Sequence, residues 1–123
     1  MTEETTLQDE LKRKIEAKHF VRAAALAESS AIPLSEVKEL RNKALWQMAA
    51  VFRNAEGTRV LCEQYGLSKK EAEDLLKGWV EEQQSKGDKK ALEPTYDQAT
   101  GKYLSFEEWL NQFLKRWDSL ATS

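Results

Sequence analysis

The sequence predicts an all-α domain of about six helices: two stacked helix-turn-helix repeats closed by a C-terminal amphipathic helix, with a small β-hairpin near residues 94–103. Three observations carry this. First, the chain matches itself without a gap at an offset of 35 residues: Leu26-Ala27-Glu28 falls on Leu61-Cys62-Glu63, Ile32 on Leu67, Glu36 on Glu71, Leu40 on Leu75 and Leu45 on Val80. Apolar positions meet apolar positions, as in two copies of one helical unit, and such units stack because neither buries its apolar face alone. Second, Phe106, Trp109, Leu110, Phe113, Leu114, Trp117 and Leu120 share one face of a final helix. Third, the run Asp97-Gln98-Ala99-Thr100-Gly101 has turn chemistry, with Asp to open a type I turn and Gly to take the positive φ that closes it.

Along the chain, Thr5 or Thr6 is placed to cap a first helix carrying Leu7, Leu11 and Ile15 on one face. A second helix runs from about His19 to Ser29, and its Ala23-Ala24-Ala25 run reads as the tightest helix contact. Pro33 ends helical conformation before it and suits the start of a third helix near Leu34-Ser35. That helix carries Val37, Leu40, Ala44, Leu45, Met48 and Phe52 inward until Gly57 breaks it. The fourth, Thr58 to Tyr65, buries Val60, Leu61 and Tyr65 and ends at a left-handed Gly66. Ser68 and Glu71 form a capping box for the fifth, which turns Ala72, Leu75, Leu76, Trp79 and Val80 inward. Ser85–Lys90 reads as a mobile polar loop. After the hairpin, Ser105 and Glu108 form a second capping box, with Leu104 and Trp109 as its hydrophobic staple. The domain expected is single, 1–123: repeat region 5–84, polar loop 85–93, hairpin plus last helix 94–123.

Composition narrows the function classes. A 123-residue chain with 41% hydrophobic and 33% charged residues has enough apolar material for one core. Its net charge of −2 lacks the basic surplus that nucleic acid binding draws on. Cys62 is the sole cysteine, so no internal disulfide forms, and the chain suits a reducing cytosol. The acidic start Met1-Thr2-Glu3-Glu4 is unlike a leader, and the apolar stretch Ala44–Phe52 is about half of the roughly 20 residues a membrane span needs. A cytoplasmic protein is expected, with no membrane partner.

Catalytic chemistry is not in evidence. His19 and Cys62 are the only residues of their kinds, too few for a zinc site, and Asp97 lacks the alternating acids of a calcium loop. His19 reads as a helix-boundary residue and Cys62 as a buried small one, equivalent to Ala27 in the first copy. Five scattered glycines make no phosphate loop. Adjacent acids at Glu81-Glu82 and Glu107-Glu108 diverge by roughly 100° on a helix and share no proton. The expectation is a non-enzyme with no metal and no cofactor.

Two resemblances follow from these residues. The period of 35 is similar to that of tetratricopeptide repeats, with two helices per repeat and a small residue at a tight contact. That family's Gly/Ala-Tyr spacing and end-of-repeat proline have no match here, so the implied architecture is a generic helical repeat without family membership. Thr58–Leu76 resembles the helix-turn-helix of DNA-binding regulators: Leu61 and Cys62 in the first helix, Tyr65-Gly66-Leu67 at the turn, Ala72 and Leu75 in the second. That resemblance implies phosphate contacts from Ser68, Lys69 and Lys70, although Glu73 and Asp74 on the same face would be repelled.

The function expected is a small helical module that binds a protein partner, as monomer or homodimer, using exposed residues beside the polar loop and hairpin: Lys86, Lys89, Lys90, Tyr96 and Tyr103. DNA binding through residues 58–76 is the alternative. The Trp109–Phe113–Trp117 face reads as core, with self-association through it as a third possibility.

Overall fold

The computed structural model describes residues 3–30, 32–87, 90–98 and 100–121. Among these it shows seven α-helices and one two-stranded antiparallel hairpin. The chain divides into two compact units, Met1–Gln47 and Met48–Ser123.

The first unit contains α1 (Glu3–Glu16), α2 (Phe20–Glu28) and α3 (Leu34–Trp46). Helix α1 begins ahead of Thr5 and Thr6, which lie within its first turn and not at the N-cap position. Its C-terminus closes through Lys18, held in the left-handed region at φ 60°. The Lys18 N–H bonds Ile15 O at 3.0 Å and the His19 N–H bonds Lys14 O at 2.8 Å, a two-bond closure that usually recruits glycine. His19 is the N-cap of α2, but its side chain makes no capping bond. Ala23, Ala24 and Ala27 are fully buried, and their small side chains let α2 lie close along α3. Val37 and Leu40 complete this cluster, with Leu11, Ile15, Phe20 and Ile32 packed on it.

The expected long third helix stops at Trp46 and passes into a π-helical turn, Gln47–Val51. A π turn holds more residues than an α turn, so positions beyond it leave the phase that the upstream apolar face established. Ala49 and Ala50 are buried as a result, while Val51 and Phe52 are 60% and 59% exposed. Phe52, expected inward, therefore faces solvent.

The second unit contains α4 (Ala55–Gln64), α5 (Lys69–Lys86), a 3-10 turn (Lys90–Leu92), β1 (Thr95–Asp97), β2 (Lys102–Leu104), α6 (Phe106–Lys115) and α7 (Trp117–Ala121). Helix α4 starts three residues before the expected Thr58. Asn54 caps it, its Oδ1 accepting from the Gly57 N–H at 2.9 Å. Gly57 thus lies inside the first turn, where an added Cβ would sit 2.7 Å from Met48 Sδ. Val60 is exposed rather than buried, and Tyr65 is half-buried. Gly66, at φ 69°, closes the helix: its N–H bonds Glu63 O and the Leu67 N–H bonds Cys62 O.

The Ser68–Glu71 capping box is formed as expected. Helix α5 then continues through Ser85 and Lys86 to a left-handed Gly87, which shortens the expected polar loop from its front. The hairpin pairs Thr95 with Leu104, Tyr96 with Tyr103 and Asp97 with Lys102. Asp97 Oδ2 accepts from both the N–H and the hydroxyl of Thr100, and Gly101, at φ 70°, donates its N–H to Asp97 O.

The second capping box, Ser105–Glu108, launches α6. Its apolar stripe is entirely buried, the core reading expected of it, and forms a ring ladder. Phe106, Trp109 and Phe113 stack at centroid distances of 5.6 and 5.4 Å, and Trp117 meets Phe113 edge-on at 5.6 Å. Each such pair contributes about 0.5–1.5 kcal/mol beyond its buried area. The stripe is not one helix, however: Arg116 bonds back to Gln112 and Phe113 and separates α6 from α7. Helix α4 packs on α7, with the Arg59 guanidinium 4.1 Å above the Trp117 ring and donating to Trp117 O.

The 35-residue offset recurs in the element starts. Phe20 and Ala55 open α2 and α4, Leu34 and Lys69 open α3 and α5, and the left-handed Lys18 and Arg53 keep the same spacing. The offset pairs Ala23 and Thr58, Ala27 and Cys62, Val37 and Ala72, and Leu45 and Val80 are buried at both positions. The packing differs. Thr58, Arg59 and Cys62 stand where α2 has three alanines, and α4 approaches α7 more closely than it does α5.

The second capping box has a pH signature. The Ser105 backbone N–H, then its side chain, hold the Glu108 carboxyl below its ordinary 4.5. A depressed carboxyl favours the folded state when ionised, so its contribution is whole above pH 4.5 and is lost as pH falls through the folded value. Glu108→Gln is expected to lower the thermal midpoint at neutral pH, with the gap from wild type closing well below pH 4.5. A gap that is unchanged in acid would contradict this origin.

Candidate functional site

The segment joining the π turn to α4 contains a long-range polar junction of the second unit that the sequence does not announce. Arg53 sits at φ 51°, a left-handed conformation that costs a non-glycine residue roughly 1–2 kcal/mol. Its guanidinium supplies the compensation. Nε donates to Ala50 O at 3.1 Å, Nη1 to Leu104 O at 3.1 Å and Nη2 to Glu93 O at 3.0 Å. Its Cζ lies 5.3 Å from the Phe106 ring centroid. Burial draws the guanidinium below its ordinary pKa, yet it stays charged because three carbonyl dipoles converge on it. Arg53 thereby ties the π turn, the entry to β1 and the end of β2 to one point.

Two clefts open at this junction, of about 520 and 330 Å³. Arg53, Asp97 and Trp109 line both. The larger continues over Asn54, Thr100, Gln112 and Arg116. The smaller is walled by Val51, Phe52 and Tyr96. Tyr96 is 53% exposed and meets Tyr103, 70% exposed, edge-on at 5.5 Å across the hairpin. Val51, Phe52 and Tyr96 thus stand uncovered beside a polar junction, which marks a contact surface more than scattered exposed residues would.

The expected partner-binding residues divide. Tyr96 and Tyr103 are brought together by strand pairing. Lys86 ends α5 in an exposed ion pair with Glu82 at 2.9 Å, and Lys90, itself exposed, opens the 3-10 turn. Lys89 lies outside the described residues. In the helix-turn-helix alternative, the Ser68 hydroxyl is engaged as a cap and Lys69 is exposed. Lys70 pairs with Asp74 at 3.1 Å and Glu73 at 3.8 Å; the Asp74 hydrogen bond and both charges raise its pKa. Cys62 is buried, and desolvation pushes its thiol up to about 11 against a small opposing effect of Arg59, so it is a poor nucleophile in the folded state. Among the described residues, no three His, Cys, Asp or Glu side chains converge on a point, and no helix is long and apolar enough to cross a membrane.

Val51, Phe52 and Arg53 were not among the expected contact residues. A clue existed: Ala49-Ala50-Val51-Phe52 is apolar at four consecutive positions, which sweep a helix circumference and cannot all face inward. Arg53 carried none, since nothing local distinguishes it.

The two left-handed residues give a contrasting test. The Lys18 side chain has no bonding partner among the described residues, while its carbonyl accepts from Gln47 Nε2 at 2.8 Å. Lys18→Gly is expected to stabilise the protein by roughly 0.5–1 kcal/mol, through relief of strain less the glycine entropy cost. Arg53→Gly is expected to destabilise it by at least about 2 kcal/mol, because three charge-assisted bonds go with the strain. Urea denaturation of both variants reads the signs, and equal signs would overturn the assignment of Arg53 as a clamp. Comparison of the chain with protein-family models, with curated proteins and with solved structures finds no match.

Proposed function

We propose that this protein is a non-enzymatic helical module, built on two copies of one helical-hairpin unit, that docks a protein partner on the surface around Arg53. The repeat part of this reading is supported by the common spacing of helix starts, left-handed links and buried positions described above. The docking part rests on one observation above the others. Val51, Phe52 and Tyr96, each more than half exposed, face the same cleft. They are held there by a π turn, a strained arginine and a hairpin, not by a flexible tail.

Strain and irregular helix cost free energy and persist where surrounding structure enforces them, which is the usual setting of a binding surface. The rigid scaffold matters as much. Side chains already fixed in place lose less entropy on association than mobile ones do, so a modest apolar surface suffices for specific binding. The cleft's mixture of aromatic walls and a polar floor suits a peptide segment better than a small metabolite. The module is expected to work in the cytosol, as a monomer or homodimer.

The test is a comparative pull-down from nuclease-treated lysate, with wild type beside a Phe52→Ala/Tyr96→Ala double variant. Both changes are at exposed positions and are expected to leave the circular dichroism spectrum unaltered. A stoichiometric protein retained by wild type and lost by the variant is the expected result. Equal retention by both would remove this surface from the reading.

A further inference from the structure

The helical run 34–51 has two possible phases, and its sequence carries an apolar set for each. Val37, Leu40, Ala44 and Leu45 fix the buried stripe of α3. At about 100° per residue, an α-helix continued past Trp46 would set Met48, Val51 and Phe52 within roughly 60° of that stripe's centre. Ala49 and Ala50 would then stand on the opposite side. The structure has the reverse: both alanines are buried, and Val51 and Phe52 are more than half exposed. Apolar area alone favours the α phase, because Val and Phe carry far more of it than two alanines. Something else holds the π turn.

The first copy shows the α phase of the same segment. Residues 13–19 are the counterpart of 48–54 at the 35-residue offset, and there α1 ends without a π turn. The Ala17 N–H bonds Arg13 O, the Lys18 N–H bonds Ile15 O and the His19 N–H bonds Lys14 O. Carried forward by 35, the last of these would join the Asn54 N–H to Ala49 O. Instead the Asn54 N–H bonds Met48 O at 3.0 Å, one residue further back. Both copies have the left-handed link, at Lys18 and at Arg53, so the link does not dictate the π turn. What the second copy adds is the Arg53 guanidinium. Its Nε bonds Ala50 O, the counterpart of Ile15 O, while its other nitrogens hold Glu93 O and Leu104 O.

We infer that residues 47–54 are a helix-register switch. In the π register, fastened by the Arg53 clamp, Val51 and Phe52 are presented to solvent. In the α register, reached when the clamp lets go, they turn onto the face of Leu40, Ala44 and Leu45. The change is a shift of one residue in hydrogen bonding: Asn54 N–H passes from Met48 O to Ala49 O. The switch stands on the fold alone; its use as a gate rests on the docking reading above. A partner that covers Val51, Phe52 and Tyr96 prefers the π register and so holds the clamp shut. By reciprocity, the clamp sets the affinity for that partner.

The test uses the full chain, isotopically labelled, and the scalar coupling that crosses a hydrogen bond, which reports the carbonyl that the Asn54 N–H meets. In wild type that carbonyl is expected to be Met48's. Arg53→Gly keeps a residue suited to the left-handed link and removes the clamp alone. It is expected to raise the α register at least about a hundredfold, as three charge-assisted bonds are lost, and so to move the coupling to Ala49. A coupling that stays on Met48 would overturn the inference. So would one lost from both carbonyls, the mark of a frayed turn.

Should Arg53→Gly not fold, wild type decides, through carbon saturation-transfer measurement of its minor state. Exchange confined to residues 47–54 is expected, with a minor population of roughly 1% whose Val51 and Phe52 Cα shifts stay helical. Random-coil shifts there, or no minor state, overturn the switch. Gate and docking fail differently. A moved coupling beside undiminished capture of a partner that needs Phe52 and Tyr96 overturns the gate and upholds the switch. Capture indifferent to Phe52 and Tyr96 overturns the docking reading, and the coupling still decides the register.

Discussion

The Arg53 guanidinium joins three stretches of backbone: the π turn at Ala50, the approach to β1 at Glu93 and the end of β2 at Leu104. Leu104 immediately precedes the capping box of α6, so the clamp also fixes where the aromatic ladder begins. The Phe106 ring, at the head of that ladder, packs against the same guanidinium. A neutral side chain could not satisfy three carbonyls at once, and a lysine would lack the planar fork that reaches them in different directions. The backbone strain at this residue is offset by the bonds that its conformation makes possible.

The same junction explains where the uncovered apolar surface lies. A regular α-helix through residues 47–52 would keep one phase, whereas the π turn buries Ala49 and Ala50 and turns Val51 and Phe52 outward. The hairpin, anchored by the clamp at its base, supplies Tyr96 from the other side. By contrast, Lys70, Lys77 and Lys86 along α5 are each paired with an acid on their own helix. Such exposed pairs add little stability and leave α5 a mixed, screened surface with no uniform field.

What the sequence made legible was local. Both capping boxes, the left-handed glycines at 66 and 101, the Asp97 turn and the ring-bearing face of residues 106–120 are set by residues within a few positions of one another. Tyr96 and Tyr103 could be recognised as surface aromatics for the same reason. What escaped was non-local. The left-handed Arg53 depends on a carbonyl 51 positions away, and the π turn and the exposure of Phe52 accompany it. The break at Arg116 escaped because an apolar period carries unchanged through a single displaced residue. The 35-residue offset disclosed the matching elements, yet their packing depends on side-chain bulk at Ala23, Ala24 and Ala27 against Thr58, Arg59 and Cys62.

The difference in bulk between the two buried clusters reaches beyond geometry to cooperativity. The first unit centres on three alanines with Val37 and Leu40, while the second buries Phe106, Trp109, Phe113 and Trp117. Alanines lose no rotamer freedom on burial, but they remove little apolar area from water, so the first cluster resists opening less. Backbone amides of α2 and α3 should then exchange with solvent through smaller, cheaper fluctuations than those of α6. A single unfolding free energy describes this chain only under conditions where both units open together.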